Sequence, residues 1–177
     1  MLPNIRLFSL LLSILFLFHS CFTGVKKNID NLKNCKFELV NLLVHSEPNK
    51  DFLLIPKFVV TPVISASNPN EEDVEIYKFN LKLFLVTNSG QQLIGTIINE
   101  EPKLIPKNSQ VELQLTLDID QKKGIDSKLI SLLLQLVSAA AKGSEAEIYI
   151  NGDVEIRSSI GSISLPISET QKIKLKR

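Results

Sequence analysis

The chain has 177 residues, 44% of them hydrophobic, and a formal net charge of +1 at pH 7. This is enough to bury one sizeable core, so we expect a single domain with an N-terminal extension. Because basic and acidic residues are nearly equal in number and interspersed, the composition argues against a nucleic-acid-binding protein, whose affinity comes largely from neutralising phosphates.

The first element is an apolar segment typical of an export signal. Residues 1–20 contain one basic residue, Arg6, followed by about twelve mostly apolar residues from Leu7 to Phe18. This run is too short to span a hydrocarbon core comfortably, which takes ~20 residues. The sequence therefore predicts that residues 1–20 are a signal peptide and that the chain is exported.

The next residues, Phe18-His19-Ser20-Cys21, resemble the lipobox of bacterial lipoproteins, in which a small residue precedes the cysteine that is acylated. We predict that Cys21 is the lipid attachment site, that residues 21–34 form a tether, and that the domain spans residues 35–177. More than one acyl chain would anchor the protein stably to a membrane of the cell envelope, at the periplasmic face or the cell surface. Cleavage without lipidation and an uncleaved anchor are the alternatives.

The chain has two cysteines, Cys21 and Cys35. If Cys21 is acylated, Cys35 has no partner within the chain. The alternative is a disulfide between them, which would close only a small loop beside the domain and add little to its stability.

From Cys35 onward the hydrophobic pattern has a period of two, which predicts β-strands. The first strands are expected over residues 36–44, 57–67 and 91–98, with a short apolar return over 52–56. Thr87-Asn88-Ser89-Gly90 is typical of a hairpin turn. Pro62 lies inside the second strand, and because proline donates no ladder hydrogen bond, it predicts an edge or a bulge.

The sequence Asn68-Pro69-Asn70 predicts a corner. Pro69 fixes its φ at about −65° and forces Asn68 to be extended, and Asn70 is able to adopt the left-handed region. In the strand that follows, Lys78, Asn80 and Lys82 are expected to face solvent, with Phe84 as an exception to the alternation. The opposite, core-facing set is Tyr77, Phe79, Leu81, Leu83 and Leu85.

Two later segments, Ser109–Asp120 and Glu147–Arg157, alternate clearly. Their expected inward residues are Val111, Leu113, Leu115, Leu117 and Ile119 in the first, and Ile148, Ile150, Val154 and Ile156 in the second. A last pair of strands is expected over 162–168 and 172–175, separated by Glu169-Thr170-Gln171. Pro166 again predicts an edge or a bulge.

Between these segments the period changes to 3.6, which predicts a helix over about residues 126–142. Asp126 or Ser127 is the expected N-cap, and Gly143 is the expected residue after the C-cap. The apolar surface of this helix is wide, so it needs cover. Seven to nine short strands with one helix predict an antiparallel β-sandwich of the immunoglobulin or fibronectin III type.

Three features occur in a particular order over residues 35–175: Val63–Asn70 before a long alternating strand, a single late helix, and the ending Gly161–Ser168 before Lys172–Leu175. In this order they resemble the late-embryogenesis-abundant group 2 family, also called the water stress and hypersensitive response domain. The resemblance implies an immunoglobulin- or fibronectin-like sandwich with one helix and a role in desiccation or osmotic stress.

The sequence contains no recognisable catalytic apparatus. His45, in a polar turn, is the one histidine beyond residues 1–20, and one histidine with one unpaired cysteine does not make a nitrogen or sulfur metal site. Asp118 with Asp120, and the acidic turn 70–73, are better interpreted as solubilising groups than as a weak Ca²⁺ site. We expect no catalytic, cofactor-binding or metal site.

The expected function is that of a non-enzymatic lipoprotein that protects the envelope, with the membrane as its partner through the lipid anchor. One alternative is a carrier or sensor of a lipid or other apolar ligand, lined by the helix at 126–142. Another is an assembly lipoprotein that docks to an envelope protein through a sheet edge at Pro62 or Pro166.

Overall fold

A computed structural model describes residues 31–50, 56–99, 101–119, 127–159 and 161–177. The predicted signal peptide, Cys21, most of the apolar return at 52–56, Asp120 and Asp126 lie outside these ranges. Within them, no helix is both long and apolar enough to cross a membrane.

The described residues form nine strands and one long helix, which confirms the prediction of a mostly β domain with a single helix. The strands are β1 (Lys36–Glu47), β2 (Lys57–Asn68), β3 (Val74–Thr87), β4 (Gly90–Ile98), β5 (Lys103–Ile105), β6 (Ser109–Gln114), β7 (Thr116–Asp118), β8 (Glu145–Ser158) and β9 (Gly161–Lys176), and the helix is α1 (Ser127–Ala141). The short strand β5 is absent from the sequence prediction, because its flanking prolines indicate a loop.

The strands follow one open hydrogen-bonded path in the order β6-β2-β1-β9-β8-β3-β4-β7, and β5 also pairs with β3. The two ends of the path, β6 and β7, are consecutive in the chain and are separated only by Leu115. The backbone nitrogen of Leu115 donates a hydrogen bond to the Pro62 carbonyl, at 2.9 Å. At this residue the chain therefore passes from pairing with β2 to pairing with β4.

The two halves of the path enclose a common core, as in a sandwich. Phe37 of β1 and Phe79 of β3 meet edge to face across it, with ring centroids 6.4 Å apart. The predicted inward residues of β8 are all buried, and those of the 109–119 segment are buried or partly buried. The core also reaches back to Leu32, which is buried ahead of β1.

Tyr77 was expected in the core, and this prediction is wrong: its side chain is 52% exposed. The register between β3 and β8 shifts between Ile76 and Lys78, so Tyr77 is the extra residue of a β-bulge. The bulge reverses the alternation, and Val74 and Ile76 before it are as buried as Phe79 after it. The rest of the predicted inward set is confirmed, with Leu85 only partly buried.

The last two predicted strands are one continuous strand, β9, so the predicted turn at 169–171 is wrong. Each of its residues from Gly161 to Lys174 has a partner in β8, which makes the register of a single long strand more favourable than a turn. Pro166 lies where β9 has β8 on one side and no described strand on the other, as predicted. Pro62 lies where the pairing of β2 with β6 ends: β6 pairs with Val63–Asn68, whereas among the described strands Lys57–Pro62 pairs with β1 alone. This agrees with the predicted edge, although the Pro62 side chain is buried.

The helix ends as predicted at Gly143, whose φ is +62°. The Gly143 nitrogen donates to the Ala140 carbonyl at 3.0 Å, and the Ser144 nitrogen donates to the Ala139 carbonyl at 3.0 Å. These two bonds form a Schellman motif, which satisfies carbonyls at the helix end. The helix packs through Leu132, Leu133, Leu136 and Ala140, while Leu134 is half exposed.

Candidate functional site

The Asn-Pro-Asn corner is the main buried polar cluster of the described chain. The Asn68 side chain is completely buried although it is polar. Its Nδ2 faces three backbone carbonyls, those of Glu72 at 2.9 Å, Ile105 at 3.1 Å and Pro106 at 3.2 Å. The corner is thus hydrogen-bonded to the segment that joins β5 to β6.

The side-chain oxygen of Asn68 accepts two further hydrogen bonds within the corner. Its Oδ1 accepts a hydrogen bond from the backbone nitrogen of Asn70 at 3.1 Å, and the thiol of Cys35 donates to it at 3.8 Å. The Asn70 carbonyl in turn accepts from the Asn108 nitrogen at 3.0 Å. The left-handed residue is Asn108, with a φ of +49°, and not Asn70.

Cys35 belongs to the same buried cluster. Asn70 Nδ2 donates a hydrogen bond to its Sγ at 3.4 Å. Burial raises the pKa of the Cys35 thiol, and the hydrogen bond from Asn70 opposes this shift. A buried thiol with a raised pKa is a poor nucleophile, so the cluster is suited to fix the corner and not to carry out covalent chemistry.

Two carboxylates of the acidic turn beside the corner accept hydrogen bonds from other parts of the chain. Asp73 Oδ1 accepts a hydrogen bond from the Lys107 nitrogen at 2.9 Å, and Glu72 Oε2 accepts one from the Ser159 hydroxyl at 2.9 Å. Among the described residues, histidine, cysteine and acidic side chains form no group of three or more that could hold a metal ion.

His45 lies far from the corner, near the end of β1. Its Nε2 is 3.3 Å from Glu47 Oε1, and both side chains are more than a third exposed. This is a surface pair, whose energetic contribution is typically small. Asp118 is exposed in β7 and, among the described residues, belongs to no group of three or more side chains that could hold a metal ion.

Sequence reasoning missed a polar and aromatic row on the outer face of β3 and β8. Arg157 forms an ion pair with Glu75, which lowers the pKa of the Glu75 carboxyl, and its guanidinium carbon lies 4.9 Å from the centroid of the Tyr77 ring. Further along, Phe84 packs against Tyr149 with ring centroids 5.7 Å apart. The Glu75–Arg157 and Phe84–Tyr149 contacts both join residues that face each other in the register of β3 and β8. The bulge at Tyr77 shifts this register, so the sequence pattern alone does not predict it.

Comparison with known proteins gave structural similarities only. No family model and no curated protein matches the chain. A structural-genomics target of the Northeast Structural Genomics Consortium is 13% identical, with a TM-score of 0.42, and the match covers 78% of this chain and 84% of that one. A protein from Archaeoglobus fulgidus is 9% identical, with a TM-score of 0.40, over 79% of this chain and 99% of that one.

A third similar structure is the solution structure of a putative late embryogenesis abundant protein. It is 13% identical, with a TM-score of 0.41, and the match covers 93% of this chain and 84% of that one. At these TM-scores and identities, none of the three assigns a family or a function to this chain.

Proposed function

We propose that this protein is a non-enzymatic lipoprotein, anchored to a membrane of the bacterial cell envelope through Cys21, whose domain protects the envelope during water stress. The proposal of a lipid anchor at Cys21 rests on a difference between the two cysteines. Cys35 is enclosed by Asn68 and Asn70, whereas Cys21 follows the lipobox-like Phe18-His19-Ser20. Burial of Cys35 also disfavours a disulfide with Cys21, because little of its thiol is accessible to another cysteine.

The stress-protection role rests on the residues that carry the family resemblance. Val63–Asn70 forms the end of β2 and the corner, a single helix precedes β8, and Gly161–Ser168 begins the last strand. The buried Asn68 gives a structural reason for asparagine at this position, because an apolar side chain could donate no hydrogen bond to the carbonyls that its Nδ2 faces. The buried thiol and the exposed His45 both support a non-enzymatic role.

The two cysteines offer a matched test of the anchor. We expect the mature N-terminus to carry acyl chains by mass spectrometry, Cys21→Ala to release the protein from membranes, and Cys35→Ala to leave it membrane-bound. Retention of Cys21→Ala on the membrane would contradict the lipoprotein proposal. For the stress role, deletion of the gene should lower survival after drying and osmotic shock, and unchanged survival would count against it.

A carrier of a lipid or other apolar ligand is the second candidate, because the Leu134 side chain of α1 is half exposed while Leu133 and Leu136 pack into the core. Native mass spectrometry of the purified protein should then detect a bound lipid. Recovery of ligand-free protein that also binds no apolar probe would reject this candidate.

A further inference from the structure

The last strand has the longest unpaired edge among the described strands. Pairing with β8 runs along β9 from Gly161 to Lys174, but β1 reaches only its end, where Asn41–Leu43 meets Lys174–Lys176. From Gly161 to Ile173, the side of β9 away from β8 therefore faces no strand of the described ranges. Such an edge offers free backbone donors and acceptors to another chain.

The direction of each backbone nitrogen in β9 follows from one hydrogen bond. The Leu175 nitrogen donates to the carbonyl of Ser144, just before β8, at 3.0 Å, so it points towards β8. Successive nitrogens in a strand point to opposite sides, and Pro166 is an odd number of residues away. Its nitrogen therefore faces the open edge, and the pairing with β8 passes Pro166 without a register shift.

The residues around Pro166 are otherwise well suited to pairing with a second copy of this chain. Gly161–Ser168 carries no charge, so two antiparallel copies would meet no like-charge repulsion. One such register places Leu165 opposite Leu165 of the second copy and Ile163 opposite Ile167. These three side chains are only partly buried in the single chain and would gain cover.

We infer that Pro166 is the residue that keeps two copies of this protein from joining through β9. Any antiparallel register that pairs six or more of the eight residues Gly161–Ser168 includes position 166, where proline donates no hydrogen bond and its ring occupies the space of the facing strand. Without it, the segment would be an uncharged, proline-free stretch of the kind that self-associates. The same geometry disfavours strand addition by a different protein at this edge, and the inference is independent of the proposed function.

The test is the number of chains per particle, measured on the full chain in detergent micelles by size-exclusion chromatography with light scattering. We expect one chain for the wild type and two or more for Pro166→Thr, which restores the edge donor. Ser164→Thr is the matched control, because it raises β propensity on the same edge and leaves Pro166 in place. It should remain a single chain.

A second variant separates edge pairing from misfolding. Ser164→Pro added to Pro166→Thr returns a proline to the same edge two residues earlier, and it should restore single chains. The inference is overturned if Pro166→Thr stays a single chain, if the double variant still associates, or if the wild type associates equally. Association of Pro166→Thr that accompanies loss of the β-sheet circular dichroism signal overturns it as well.

Discussion

Replacing Asn68 by alanine is the most direct test of what holds the corner together. The amide is fully buried, and its partners are the carbonyls of Glu72, Ile105 and Pro106 and the nitrogen of Asn70. Alanine removes all of these bonds and leaves buried polar groups without a partner. We therefore expect Asn68→Ala to destabilise the whole domain and not only the turn.

The size of the loss follows from the hydrogen-bond count. Nδ2 has two hydrogens for three carbonyls, so it makes two full bonds at a time, and Oδ1 accepts one more from Asn70. At about 1 kcal/mol for each bond, the free energy of unfolding should fall by about 3 kcal/mol, and by ~5 kcal/mol if the orphaned groups stay dry. For a chain of this size, a loss of about 3 kcal/mol lowers the melting temperature by about 6–12 °C.

The measurement is urea unfolding of the mature protein followed by circular dichroism. Asn80→Ala is the matched control, because Asn80 is exposed and its Nδ2 makes one surface bond to Asp153 at 3.1 Å. We expect it to change stability by no more than ~0.5 kcal/mol. If Asn68→Ala costs less than about 1 kcal/mol, or no more than Asn80→Ala, the buried amide does not hold the corner.

Two further predictions concern stability. Because the pKa of Cys35 is raised in the folded state, the unfolded chain loses the thiol proton first as pH rises above ~8.5. Unfolding should therefore become easier above this pH, a trend that urea titrations at several pH values should not find in Cys35→Ala. A Cβ at Gly152 would lie 2.0 Å from the Asn80 carbonyl oxygen, whereas one at Gly90 meets nothing within 4 Å, although both glycines have positive φ. Gly152→Ala should thus lose at least ~2 kcal/mol more than Gly90→Ala in the same assay, and equal losses would refute the close contact.

The sequence was sufficient to predict secondary structure and buried residues wherever burial follows local periodicity. Alternation located β8 and its inward residues, and the change of period located α1 and its end at Gly143. Pro166 was correctly assigned to an edge, since a missing backbone donor constrains position in a sheet whatever the neighbouring strands are. Asn68–Asn70 was correctly identified as a corner, because the dihedral limits of proline act within three residues.

Tertiary structure decided what depends on pairing between distant strands. The bulge that exposes Tyr77 is one extra residue of β3 in its pairing with β8, and β9 is continuous because β8 pairs along it. In neither case is the partner strand visible in the local sequence. The burial of Asn68 beside Cys35 and the 105–108 segment likewise depends on contacts more than 30 residues apart in the chain. The sequence determined that the chain turns at Asn68–Asn70; only the tertiary structure made that turn a buried polar cluster, because two of the three carbonyls that Asn68 faces, those of Ile105 and Pro106, belong to a distant segment that packs against it.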